Sequence, residues 1–331
     1  MNPNQSESSP AIKPAAQKRP FPGIVSITQD ALRKRIYAVF ILPALLVYTA
    51  FLVFPLLSSL YYGFFQWDGI TRGAFVGLAN FQKLLAESPY NIRFFSALKH
   101  NVFFFLLTMV VQNLVGLFFA LILSRGIKGA SFYQTIFFMP YTMSVIVLGF
   151  LWSLILNPTW GAFNKLLAAM GLGGLARPWL GDMATALPTI TLVNAWHWVG
   201  FPMLIFLAGL QAIPAELHEA ARLDGAGGWK LFRRVTLPLL MPSITIVTIL
   251  TFIGNFNAFE IIFAMEGSSG GPFYATDVLG TLFYRTAFGE AGGSSGQDIG
   301  LGSAIAAVMF VIIFIISYLG TRFLRSKELQ Y

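Results

Sequence analysis

The sequence predicts an all-α polytopic membrane protein with six membrane-spanning helices, and three observations carry that expectation. Of its 331 residues, 56% are hydrophobic and 11% charged, which is more apolar side chain than a water-soluble domain of this size needs to fill a core. The apolar residues stand in long runs, and about 20 such residues cross a hydrocarbon layer roughly 30 Å thick. The 22 Lys and Arg residues lie in the stretches between the runs.

Residues 1–27 are polar and rich in Pro, Ser and Ala, with Lys13, Lys18 and Arg19. They read as a disordered tail, leaving 28–331 as the membrane domain. The tail is not expected to be a cleaved secretory signal, whose apolar core spans about 7 to 15 residues before a small-residue cleavage site. The first run instead extends from Tyr37 to Tyr62. Five more follow: Val102 to Ser124, Phe132 to Asn157, Leu187 to Leu210, Ser243 to Met265, and Leu301 to Thr321. Apart from His197, Glu260 is the one acid or base within them. Pro43, Pro55, Pro140 and Pro202 fall inside runs, where membrane helices accept proline as a kink because neighbours satisfy the freed backbone groups.

Charge in the connections sets an expected orientation, since Lys and Arg favour the cytoplasmic side. With the N-terminus inside, 1–36, 125–131, 211–242 and 322–331 are cytoplasmic and hold 15 of the 22 Lys and Arg residues. Both ends are then cytoplasmic. A net charge of +8 spread over such loops is unlike the basic patch of a nucleic-acid binder. Cysteine is absent, which excludes disulfides and Cys-ligated metal. His100, His197 and His218 are not spaced as a metal site.

The connection from Gln211 to Pro242 is longer than a tight turn requires. Pro214 suits a helix start, Glu216 complements the positive helix end and Gly225 can take the left-handed stop, so a helix over Pro214–Asp224 is expected. A second short stretch follows, with Trp229, Phe232 and Val235 on one face and Pro238 ending it. Glu219, Ala220 and Ala221 are acidic then small, which suits close approach to another protein. An amphipathic helix lying under the headgroups fits the same pattern.

Glu219-Ala220-Ala221, Asp224-Gly225-Ala226, and Val235 with Leu237-Pro238 resemble the EAA motif of membrane subunits of binding-protein-dependent ABC importers, with Val235 where Ile is usual. Ile213-Pro214 and Pro242 flank it as in the carbohydrate-uptake branch. Phe75-Val76-Gly77-Leu78-Ala79-Asn80-Phe81, Gly270-Gly271-Pro272 and Gly296-Gln297-Asp298-Ile299-Gly300 resemble outer-loop motifs of the maltose-type first permease. The resemblance covers the chain from about residue 40. It implies a type I ABC importer permease core in the bacterial inner membrane. Its short cytoplasmic helix would fit a cleft of a separate ATPase, with Glu219, Ala220, Ala221, Asp224 and Gly225 carrying the coupling contact. It also implies a second homologous permease, two ATP-binding subunits holding ATP and magnesium, and an external solute-binding protein, besides membrane lipid. No cofactor is expected on this chain. No Gly-x-x-x-x-Gly-Lys-Ser/Thr loop occurs, and Lys never follows Gly, so the motor is expected elsewhere.

Polar side chains in hydrocarbon are costly and turn to a cavity or a helix partner. Asn255, ten residues from the far end of the fifth run, would lie about 15 Å deep at about 1.5 Å per residue, and transporters hold solute near the midplane. Asn194, with Trp196 and His197 beside it, offers an amide and aromatic faces to a sugar. The resemblance adds Tyr141 to the cavity and puts an aromatic where Gly254 stands and an Asn where Ala258 stands. Glu260 is a further candidate. Helix glue is the alternative use of such amides. An ion-coupled secondary transporter is the rival reading, with Glu260 and His197 carrying protons, although no internal inverted repeat is detectable. With no Lys or Arg inside the runs, a neutral solute is favoured over a phosphorylated one.

Overall fold

The computed structural model describes residues 25–68, 71–289 and 297–328. Of the expected tail, residues 1–24 lie outside the described residues, and the first helix already begins at Val25. Two units separate, residues 1–57 and 58–331.

The first unit holds α1 (Val25–Tyr48) and a π turn over Thr49–Val53, which leads into α2 (Phe54–Tyr62). The turn sits two residues before Pro55. Proline offers no N–H and crowds the carbonyl four residues back, and widening the ladder to i→i+5 relieves both. Ile36–Tyr62 is long and apolar enough to span a membrane.

The second unit begins with a hairpin, β1 (Phe65–Asp68) and β2 (Thr71–Phe75), antiparallel with Phe65 opposite Phe75. Then come α3 (Ala79–Ala86) and α4 (Tyr90–Leu123). α5 (Ala130–Phe138) runs through a 3₁₀ turn, Met139–Thr142, to α6 (Val145–Ile155). α7 (Ala162–Ala169) precedes α8 (Ala186–Trp198) and α9 (Gly200–Gln211). α10 (Ala215–Leu223), α11 (Gly228–Leu231) and α12 (Leu237–Leu239) are short. α13 (Met241–Phe256), α14 (Glu260–Glu266), α15 (Leu279–Phe288) and α16 (Ile299–Arg325) complete the order.

Three helices are long and apolar enough to span, and three bent pairs bring the number to six among the described residues. The number six is reached when each bent pair counts as one span, and five of the six lie where the apolar runs place them. The third bends by 93° between Thr142 and Val145, just past Pro140. The fourth bends by 45° between α8 and α9, at Val199, three residues before Pro202. The expected fifth span from Ser243 to Met265 is corrected: α13 stops at Phe256, and α14 is a separate helix packed on α6. The depth reckoned for Asn255 along an unbroken helix therefore does not hold, since Asn255 lies in the last turn of α13. The second short stretch ends at Leu239, one residue past Pro238, where the chain bends by 67° into α13. A second π turn, Phe232–Thr236, again two residues before a proline, lets the chain continue into α12.

α4 is the axis of this unit, packing on α9, α8, α13, α3 and α15. Its buried positions, Phe94, Ala97, Asn101, Phe104, Thr108, Gln112, Gly116, Ala120 and Leu123, recur every three or four residues and form one stripe, with buried Asn113 at its margin beside Gln112, as a helix face requires. Small residues let backbones approach: a Cβ on Gly116 would stand 3.1 Å from the Met203 nitrogen of α9. At the start of α16, Asp298 Oδ1 accepts the Leu301 N–H at 2.8 Å and Oδ2 accepts from Lys83 Nζ at 3.2 Å. Burial works against the Lys83 charge, but Asp298 and, to a smaller extent, Tyr90 together offset it and raise the ammonium above its ordinary pKa.

Candidate functional site

α4, α8, α13 and α14 converge on a cavity of about 600 Å³, within the range of roughly 300–1,000 Å³ found for small-molecule sites. Its polar lining comes from Gln112 on α4, Asn194 on α8, Thr251 and Asn255 on α13, and Asn257 and Glu260 at the break before α14. Phe104, Trp198, Phe201 and Phe259 add aromatic surface, and no Lys or Arg lines the space.

The break that shapes this cavity has a physical cause. A helix ending at Phe256 leaves its last carbonyls without intrahelical partners. Asn101 of α4 supplies one set of donors, its Nδ2 reaching the Asn255 carbonyl at 3.1 Å and the Phe256 carbonyl at 3.5 Å. Its Oδ1 accepts the Leu279 N–H of α15 at 2.7 Å. One buried amide thus ties together α4, the end of α13 and the start of α15. Asn255 Nδ2 donates to the Thr251 carbonyl at 2.7 Å, and Asn194 Nδ2 donates to Asn255 Oδ1 at 3.4 Å. Thr251 Oγ1 donates to Asn113 Oδ1 at 3.3 Å.

Of the six residues read from sequence as solute contacts, the structure brings Asn194, Asn255 and Glu260 to the cavity wall. Glu260 stands in the first turn of α14, where a carboxylate complements the helix start. Tyr141 stands behind the wall, stacked on Phe201 at 5.8 Å and edge-on to Trp198 at 5.2 Å. Trp196 faces a second, mostly apolar cavity of about 610 Å³ beside the bend of the third span. His197 is buried, its Nε2 within 3.3 Å of the Met143 carbonyl at that same bend. A Cβ on Gly254 would meet nothing within 4 Å, so the space that the resemblance gives to an aromatic is open. Sequence reasoning missed Gln112, Phe259 and Thr251. For Gln112 the usable sign was an amide in the middle of an apolar run, the same sign that singled out Asn194 and Asn255.

At the other predicted site, α10 takes Pro214 as its N-cap rather than its first helical residue. It closes in a Schellman arrangement: the Ala226 N–H reaches the Ala221 carbonyl at 2.8 Å and the Gly225 N–H reaches the Arg222 carbonyl at 3.0 Å. That geometry needs a left-handed residue after the cap, and Gly225 has φ +76°. Glu219, Ala220 and Asp224 are exposed and Ala221 is half-buried. His218 Nε2 lies 3.2 Å from Thr236 Oγ1, joining α10 to the π turn that leads through α12 into α13.

The sequence model of the family described as binding-protein-dependent transport system inner membrane component matches residues 112–328. The chain is 34% identical over 292 residues to a probable ABC transporter permease protein, YurN, of Bacillus subtilis, covering 87% of this chain and 96% of the relative. It is 30% identical over 294 residues to a probable starch degradation products transport system permease protein, AmyD, of Thermoanaerobacterium thermosulfurigenes, covering 89% and 95%. A chain from the crystal structure of a bacterial ABC transporter involved in import of the acidic polysaccharide alginate has the same fold, with TM-score 0.72 and 22% identity, covering 91% of this chain and 99% of that one.

Proposed function

Because the chain belongs to the family of binding-protein-dependent transport system inner membrane components, we propose that it is one permease subunit of an ATP-driven importer of a neutral sugar or related polyol. It forms half of a translocation pathway, and the cavity bounded by Asn194, Asn255 and Glu260 is its part of the solute site. The chain is a multi-pass membrane protein, and nucleotide hydrolysis belongs to separate subunits. Two ATP-binding subunits dock on the cytoplasmic side, a second homologous permease supplies the facing wall, and an external binding protein delivers the solute. Both termini are cytoplasmic.

The observation that carries this reading is the pairing of an exposed, stop-punctuated α10 with a polar cavity at the far end of the helix it leads into. Movement of α10 pulls on Thr236 through His218, and the same stretch of chain continues through α12 and α13 to Asn255. The sugar class rests on chemistry. Amides and aromatic faces suit hydroxyls and the apolar faces of a pyranose, whereas a phosphate would meet Glu260 and no lining cation. The starch-product relative agrees with it.

Reconstitution tests the reading. Vesicles carrying this permease with its partner permease, ATPase and binding protein are expected to take up labelled sugar when given ATP, with no proton or sodium gradient. Gradient-driven, ATP-independent uptake by this chain alone would establish the secondary-transporter reading instead.

A further inference from the structure

α4 brings to the cavity a residue that carries the argument further. Gln112 is 5% exposed and lines the candidate solute cavity. Its neighbours on the same stripe are occupied: Asn101 holds the end of α13, and Asn113 accepts from Thr251. The Gln112 amide makes no hydrogen bond to any described residue. A carboxamide has two donors and an acceptor oxygen, and leaving them unpaired away from water is costly, more so within a membrane span. Thr108, one turn earlier, is also buried without a partner, but its hydroxyl is sealed from any space and belongs to packing. Gln112 opens onto two spaces, since it also lines the second cavity, where the remaining wall is apolar apart from the Trp196 indole.

We propose that Gln112 is a solute-contacting, specificity-determining residue that completes, with Asn194 and Asn255, a set of three amides around a neutral, hydroxyl-bearing solute. The inference rests on the importer reading above and deepens it. Asn194 and Asn255 spend part of their capacity on each other and on the Thr251 carbonyl, whereas Gln112 keeps all of its own for the solute. An amide that both donates and accepts matches a hydroxyl, which does the same. Specificity then follows from cost: a solute lacking the hydroxyl at this point leaves the buried amide unpaired.

The test replaces Gln112 by methionine, which keeps the length of the side chain and removes its polar atoms. The reconstituted complex is offered labelled glucose, maltose, trehalose and maltotriose, and for whichever it imports, a set of single-deoxy analogues. Gln112→Met is expected to assemble in wild-type amounts and to lower uptake of the imported sugar about threefold to tenfold, the equivalent of one or two lost hydrogen bonds. One deoxy analogue should be transported poorly by the wild type and no worse by the variant. Unchanged uptake, an equal loss for every analogue, or failure of the variant to assemble would each overturn the assignment, the last by making Gln112 helix glue. A wild-type complex that imports none of these sugars, nor labelled glycerol, sorbitol or mannitol, would overturn the neutral-solute reading itself, and the role of Gln112 with it.

Discussion

Two short helices stand in connections between long ones, α10 with 9 residues and α15 with 10, and they use their surfaces in opposite ways. α15 buries Leu279, Gly280, Thr281, Leu282, Arg285 and Ala287; α10 buries nothing. In α15 even the charge is spent internally. The Arg285 guanidinium meets Asp277 in a two-pronged pair at 2.6 and 3.2 Å, donates to the Ser268 carbonyl at 3.0 Å and lies 4.9 Å above the Tyr274 ring. Thr281 Oγ1 adds a hydrogen bond to Asp277 at 2.7 Å. α10 is held by the His218–Thr236 contact and the Schellman turn at its C-terminal end, while Leu223 stands 89% exposed beside Glu219. A helix whose surface is used up within the chain maintains the fold. One whose acid and apolar side chain are both left over is shaped for something outside it.

The sharpest way to break this contrast is to attack both helices and compare protein amounts with function. Arg285→Met should do the greatest damage, since it leaves Asp277 buried without its partner. Breaking such a pair costs about 3–5 kcal/mol, enough to remove most assembled protein from the membrane. Adding Asp277→Leu should restore part of the loss, because a buried pair replaced by apolar side chains is often near neutral. Thermal stability of the purified complex measures both. If Arg285→Met left stability unchanged, α15 would be no more structural than α10.

How much of this was legible in the sequence depends on how local each cause is. Five of the six spans were, because about 20 apolar residues in a row announce themselves, while the fifth was drawn too far towards Met265. The stop at Gly225 was, because its chemistry is contained within α10. The 93° bend of the third span was legible as a place but not as an angle: Pro140 frees a backbone group, and packing decides where the chain goes. The end of α13 was not legible at all, since the amide that caps it, Asn101, comes from 154 residues away. The start of α4 at Tyr90 was hidden because its first turns mix Asn91, Arg93 and Lys99 with apolar residues. At the cavity, Asn194 and Asn255 were found by the cost of burying an amide. Tyr141 and His197 were placed by resemblance or adjacency, and the structure sets them one layer behind the wall.

A smaller effect is expected at the stop of α10. Gly225 has φ +76° and an added Cβ would touch nothing within 4 Å, so only the backbone conformation opposes substitution. The left-handed conformation costs an L-residue about 1–2 kcal/mol, and a β-branched one has the least tolerance for it. Gly225→Val should therefore unwind the last turn of α10 and weaken ATPase association, with Gly225→Asn milder. Total protein should stay near wild type, unlike Arg285→Met. Equal behaviour of the Val and Asn variants would show that the positive φ is not what fixes this turn.

The smallest effect on stability and the most informative on function belongs to Glu219→Lys. Glu219 is exposed on α10, and a surface substitution away from caps and cores usually changes stability by no more than about 0.5 kcal/mol. The variant should insert and accumulate like the wild type. On a docking surface, however, reversing the charge juxtaposes it with whatever cation on the ATPase faced the carboxylate, and like charges across an interface suppress binding. Co-purification of the ATPase and sugar-stimulated hydrolysis should both fall, and ATPase variants carrying an acid at the facing position should recover them. An interfacial helix makes the opposite demand. A Lys added beside the exposed Leu223 would strengthen attraction to anionic headgroups by about 1 kcal/mol and leave transport intact. Wild-type ATPase recovery and uptake in Glu219→Lys would therefore assign the leftover surface of α10 to the lipid, and the contrast with α15 would become one between two structural helices in different solvents.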